Sequence, residues 1–216
     1  MKNTYLLILI LSSYNLLSQT EVPIEDYQSL SAISGEKNDI YFKDVNGIFT
    51  NYLGVWSWTD GNKEIVLNLY KDENVPITYG NINFSRDQIY GYYIYKENGI
   101  ELINTKSVLQ ELINERQDEA RGGIGMIPIN DGFDSSNIVA VSFADYSRRA
   151  CIDGIEVPVS GSPGYWKFSD ENNASVGLYA AGTIYSNCEI NILYPNFPSN
   201  ETIDLVKIAN EAPPLD

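Results

Sequence analysis

Residues 54–70 read GVWSWTDGNKEIVLNLY, and the period of that stretch decides the fold class. Trp56 and Trp58 alternate with Val55, Ser57 and Thr59, while Ile65, Leu67 and Leu69 alternate with Glu64, Val66, Asn68 and Tyr70. Successive side chains of a strand point to opposite faces, so a period of two marks two strands that each bury one side. Between the runs, Asp60-Gly61-Asn62 supplies residues that tolerate positive φ. The stretch therefore predicts a β-hairpin with both tryptophans on one face.

A second hairpin follows. Residues Gln88 to Lys96 are dense in Tyr and Ile, Asn98-Gly99 is a strong two-residue turn signal, and Ile100 to Asn104 returns. Tyr90, Tyr92 and Ile94 share one face; Ile89, Tyr93 and Tyr95 share the other. Apolar residues on both faces suit a barrel or a sandwich better than a sheet with one wet side. Ser107 to Ala120 is the one helix candidate, with a Ser107/Gln110 capping box, a stripe of Val108, Leu109, Leu112 and Ile113, and Gly122 placed for a C-cap. The segment from Gly122 to Asn137 reads as loop.

Strand patterns resume at Ile138 to Phe143, Ile155 to Val159, Tyr165 to Phe168, Val176 to Ala181, Ile184 to Leu193 and Thr202 to Ile208. Short strands separated by Gly, Pro, Asn and Asp clusters predict an all-β domain of antiparallel pairs, a β-barrel or β-sandwich with one inserted helix. The expected organisation is a signal peptide over residues 1–19, a loose lead-in over 20–39 and a single β-rich domain over 40–216. No internal repeat or long linker argues for a second domain.

The leader reading rests on Lys2, the apolar run Leu6 to Leu11 and the polar exit Ser12 to Thr20. That run is far shorter than the ~20 residues a membrane-spanning helix needs, so export and no transmembrane span are expected, with cleavage near Ser18 or Gln19. Of 216 residues 29 are acidic, 14 are Lys or Arg and none is His, a formal charge of -15. Such a surface repels phosphate backbones and anionic headgroups, which disfavours nucleic acid as a partner. Export also makes a disulfide between Cys151 and Cys188 an expectation, stabilising by about 3 to 4 kcal/mol in the chain-entropy model. Two free buried thiols are the alternative.

The absence of histidine removes Ser-His-Asp and Cys-His catalysis. Ser160-Gly161-Ser162-Pro163-Gly164 lacks the spacing of a nucleophile elbow and reads as loop, and Gly122-Gly123-Ile124-Gly125 lacks the Lys-Ser/Thr of a phosphate loop. Two carboxylates in a cleft suffice for glycoside hydrolysis, but Glu64, Asp87, Glu97 and Glu101 read as solvent-facing. Asn130, Asp131, Asp134 and Asn137 offer oxygen ligands without the glycine and terminal glutamate of a calcium loop. No metal or cofactor is therefore expected. Aromatic side chains remain: Trp56, Trp58, Tyr90, Tyr92 and Trp166 could stack on a sugar or line an apolar pocket, or simply pack the core.

Phe49, Gly54, Trp56 and Trp58 before the Asp-Gly-Asn turn, residues 86–101 (RDQIYGYYIYKENGIE) and residues 196–208 (NFPSNETIDLVKI) resemble an uncharacterised family of small exported proteins of Bacteroidota. The resemblance runs from about Phe49 to Ile208 and implies export and a β-rich fold, with no activity. Gly54-x-Trp56 is also similar to the Gly-x-Trp signature of lipocalin-like barrels, where the resemblance implies a tryptophan that closes one barrel end.

Three functions stay open at this level: an exported non-enzymatic domain binding a small apolar or glycan ligand through its aromatics, a structural or protein-interaction module of the envelope or secretome, and a carboxylate-dependent glycan hydrolase.

Overall fold

The computed structural model describes residues 19–27, 39–79, 82–115, 124–128, 139–152, 154–162, 164–180 and 191–215. Among the described residues thirteen strands form one sheet. They are β1 (Thr20–Pro23), β2 (Ile40–Lys43), β3 (Gly54–Asp60), β4 (Lys63–Tyr79), β5 (Ile82–Glu97), β6 (Ile100–Asn104), β7 (Ile124–Pro128), β8 (Val139–Ile152), β9 (Ile155–Ser162), β10 (Gly164–Phe168), β11 (Asn173–Ala180), β12 (Asn191–Ile192) and β13 (Glu201–Ala209). One α-helix, α1 (Lys106–Glu115), and two 3₁₀ turns, Ile24–Tyr27 and Ile48–Asn51, complete the described elements. The chain is all-β in class.

Both expected hairpins form. In the first, Asp60 pairs with Lys63 around Gly61-Asn62, and only Gly61 takes a positive φ, of 60°. In the second, Glu97 pairs with Ile100 around Asn98 and Gly99, both at positive φ (54° and 76°), the pattern of a type I′ turn. The two turns are tied together, since Asn98 N donates to Asn62 O at 2.8 Å and Asn62 Nδ2 to Asn98 Oδ1 at 2.7 Å.

The strands pair in a simple succession. β3 is antiparallel to β4 and β4 to β5; β5 also pairs β7, β7 pairs β8, β8 pairs β10, β10 pairs β11, and β11 pairs β13. β13 in turn pairs β3, with a bulge between Lys207 and Ala209. β1 and β2 join the far end of β5 as parallel strands.

One core cluster takes buried side chains from nine of these strands, from Phe42 on β2 to Leu205 on β13. Register decides the face: Trp56 sits opposite Leu67, Trp58 opposite Ile65, and Leu67 in turn opposite Tyr93.

Four local readings need correction. Residues 20–27, expected to be a loose lead-in, hold β1 and a 3₁₀ turn whose Ile24 is fully buried. Ile124–Pro128, expected to be loop, is β7, which hydrogen-bonds to both β5 and β8. Ser160 to Ser162 belong to β9 and Gly164 opens β10, so that string is not a simple loop. The helix begins at Lys106 and the capping box does not form: Asn104 Oδ1 accepts the Lys106 N–H at 3.0 Å, and the Gln110 side chain reaches instead to the carbonyl of Leu215. Residues 116–120 of the expected helix, and Asn130, Asp131, Asp134 and Asn137, lie outside the described residues.

Candidate functional site

The five aromatic candidates fall on two faces. Trp56 and Trp166 are fully buried and meet edge to face, with centroids 5.1 Å apart, beside Tyr52 and Phe168. Trp56 Nε1 donates to Tyr52 O at 2.8 Å. Trp58 is half-buried and packs against the same core. Tyr90 and Tyr92 point the other way, opposite Tyr70 and Asn68 of β4. The alternation of the first hairpin thus puts its tryptophans on the face of Ile65, Leu67 and Leu69, where burial of large rings supplies stability.

Asp87 is a correction. It is 1% exposed, not solvent-facing, and its carboxylate is saturated. Tyr41 Oη donates to Oδ1 at 2.5 Å and Asn74 N at 3.1 Å, while Oδ2 accepts Asp44 N at 2.9 Å and lies 3.2 Å from Lys71 Nζ. Asp44, also buried, caps the 3₁₀ turn by accepting Ile48 N at 2.7 Å and Phe49 N at 3.2 Å, and stands 3.5 Å from the same lysine. Burial alone would push the Asp87 carboxyl up, but the bonds from Tyr41, Asp44 N, Asn74 N and Lys71 hold it below the usual carboxylate range. The same environment, burial first and Asp87 second, drives the Tyr41 phenol well above its ordinary value. Every oxygen here is committed to holding β2, the 3₁₀ turn and the bulge of β4 against β5. A carboxylate so occupied is a poor general acid or base, because proton transfer needs a free lone pair within reach of a substrate.

Asp145 repeats the pattern on β8. It is 3% exposed and accepts from Ser147 N at 2.9 Å, from the Ser147 hydroxyl and from the Ser199 hydroxyl, with Arg148 Nε 3.5 Å away. Of the remaining carboxylates read as candidates, Glu64 pairs with Lys96 at 3.1 Å and Glu97 accepts from Asn196 at 2.9 Å, each on the surface of the hairpins. Among the described residues no group of three or more His, Cys, Asp or Glu side chains could hold a metal ion.

Open space lies elsewhere. A cleft of about 290 Å³ is lined by Thr50, Asn51, Glu171, Asn172, Lys207 and Asn210. Three elements build it: the end of the Ile48–Asn51 turn, the connection between β10 and β11, and the last residues of β13. Lys207 occupies the inward parity of β13 after Ile203 and Leu205, so its stem follows the apolar face and its ammonium emerges at the sheet's end. There Nζ donates to Asn51 O at 2.8 Å and stands 4.9 Å from the centre of the Trp56 ring. Asn172 O accepts the Lys207 N–H at 2.8 Å, which fixes the cleft's two walls to each other. Burial lowers the ammonium's proton affinity, against a smaller opposite pull from Glu171. None of these six residues stood out in the sequence. The signal was present as a cation in the inward register of an otherwise apolar strand.

Cys151 is half-buried next to the last residue of β8, and Cys188 lies outside the described residues. No helix among the described residues is long and apolar enough to cross a membrane, which says nothing about strands.

Comparison with curated proteins and with solved structures finds no match. A family model does match, over residues 1–200, and so takes in every described strand before β13. By that match, the chain belongs to DUF6705, a family of unknown function.

Proposed function

We propose that the chain is an exported, non-enzymatic binding domain, an up-and-down barrel that takes a small glycan-like ligand in the cleft over Lys207. The observation that carries this is Lys207 itself, a half-buried cation whose ammonium, among the described residues, donates to one backbone carbonyl, with a tryptophan ring beneath it. Around it stand a carboxylate, three side-chain amides and a hydroxyl. Such a lining matches the mixed donors and acceptors of sugar hydroxyls better than an apolar ligand. The saturation of Asp87 and Asp145 supports a binding role over hydrolysis.

Barrel geometry is supported over a sandwich by the pairing order. The eight strands β3, β4, β5, β7, β8, β10, β11 and β13 each run antiparallel to the next in chain order, and the last pairs the first. Tight backbone approaches fit strong coiling: a Cβ at Gly91 would stand 2.3 Å from Asn68 O, and one at Gly164 2.1 Å from Gly177 O. Export is supported by the charged start and apolar run of the leader and by β1, which begins at Thr20, just past the expected cleavage site. In an oxidising compartment Cys151 and Cys188 would form one disulfide.

Binding is tested by titrating the mature chain with a panel of oligosaccharides while following tryptophan fluorescence. A saturable change that Lys207→Ala abolishes supports the cleft; a flat response over the whole panel refutes it. Expression with the native leader, followed by N-terminal sequencing of the exported product, checks export. Alkylation with and without reductant, read by mass, checks the disulfide.

A further inference from the structure

Tyr70, Tyr90 and Tyr92 form a row on the face of β4 and β5 opposite the core, with Tyr70 stacked on Tyr90 at 5.6 Å and on Tyr92 at 6.3 Å, both at 23°. The helix α1 packs near β5. The end of the chain, Ala212-Pro213-Pro214-Leu215, crosses here, and three successive carbonyls are captured by side chains. Tyr70 Oη donates to Pro213 O at 2.6 Å, Lys106 Nζ to Pro214 O at 3.4 Å, and Gln110 Nε2 to Leu215 O.

The chemistry of this contact has a definite selectivity. Every bond goes to a backbone carbonyl, and proline carries no N–H that docking would leave unpaired. A Pro-Pro pair holds an extended polyproline II form before it binds, so little conformational freedom is lost. An aromatic row with hydrogen-bond donors at its edge is the surface that recognises such segments.

We propose that the Tyr70–Tyr90–Tyr92 row, with Lys106 and Gln110, is a recognition site for extended diproline-bearing segments of another polypeptide, occupied in the isolated chain by its own C-terminal tail. The seated segment identifies the occupant, because Ala-Pro-Pro-Leu already satisfies the site's donors. The tail acts as an intramolecular competitor, present at the high effective concentration of any short tether. This site shares no residue with the cleft over Lys207 and stands whether or not that cleft binds a glycan.

The test uses the full chain with Pro213→Gly and Pro214→Gly, which loosens the tail, and a fluorescently labelled EAPPLD peptide read by polarisation. The loosened variant binds the peptide at least about tenfold more tightly than the native chain, and adding Tyr70→Phe, which keeps the ring and removes the donor, weakens that binding several-fold. A loosened variant with native circular dichroism that does not bind overturns the proposal. So does equal binding of a proline-free EAAALD peptide. A second measurement needs no loosened variant: the backbone NMR order parameter of the Leu215 amide falls in Tyr70→Phe relative to the native chain, and an unchanged value overturns the proposal equally.

Discussion

Lys71 and Lys207 both leave strands on the inward side, both come near carboxylates, and both are partly buried, yet their surroundings differ in every other respect. Lys71 Nζ has three carboxylates within reach, Glu73 at 3.1 Å, Asp87 at 3.2 Å and Asp44 at 3.5 Å. Burial lowers its proton affinity, but the bonds to Glu73 and Asp87 outweigh that and leave it raised. Lys207 has a carbonyl and a ring, with Glu171 acting at longer range, and burial prevails. The first lysine neutralises charge the fold has buried; the second keeps donors to spare. Residue type alone does not separate a latch from a site. Saturation of the hydrogen-bonding capacity does.

Of the substitutions that separate the two lysines, the costliest to stability is at Asp87. Replacing it with Asn removes the charge that Tyr41, two backbone amides and Lys71 answer, while Lys71 keeps Glu73 and Asp44, so stability falls by about 1–3 kcal/mol, measured by urea denaturation. A loss under about 1 kcal/mol would mean that the latch is not structural.

Acid titration comes next. Because the folded-state value of Asp87 lies below its unfolded value, the unfolded chain binds its proton first as pH falls. The stability contributed by Asp87 is therefore complete above about pH 4 and is lost as pH drops through the lowered value. Asp72 works in the opposite sense, since burial first, then Asp87 and Glu73, raises its carboxyl, and its share of stability declines as pH rises above 4. In Asp87→Asn the acid-side loss is expected to shrink, visible in melting temperatures taken between pH 2 and 6. An unchanged pH profile would assign acid sensitivity to other groups.

Lys207→Ala is far milder than the Asp87 substitution. Its expected cost to stability is below about 1 kcal/mol, because the group is half-exposed and loses one hydrogen bond and a cation–π contact. Any glycan response should vanish with it. A large destabilisation with binding intact would turn Lys207 into a second latch. The smallest effect belongs to Glu171→Gln: stability stays within about 0.5 kcal/mol, while the Lys207 ammonium titrates at lower pH because its remaining anionic support is gone. Tryptophan emission followed along an alkaline titration reads that displacement through Trp56.

Much of the architecture was legible beforehand, for reasons that are local. Asn98-Gly99 and Gly61 turn the chain because they accept positive φ, and Ile65, Leu67 and Leu69 alternate because one side of β4 is dry. β7 was not legible: Ile124-Gly125-Met126-Ile127-Pro128 sits among glycines and carries no alternation, and it is a strand only because β5 and β8 each offer it a ladder. β1 was hidden for the same reason, since four residues gain their order from parallel pairing with β2. Asp87 read as an exposed acid because a sequence shows charge but not the Tyr41 hydroxyl and two amides brought to it from 13 to 46 residues away.

The strand period, the two hairpin turns, the acidic charge, the absence of histidine chemistry and the shared face of Trp56 and Trp58 were all written in the order and composition of the residues. These depend on φ preferences, side-chain parity and composition, which act within a few residues. That this face is the core, that Asp87 is sealed, and that Lys207 opens onto a cleft while Tyr70 holds the Pro213 carbonyl emerge with the assembled fold. Those outcomes depend on which strands become neighbours, and burial and hydrogen-bond saturation exist only once distant segments have met.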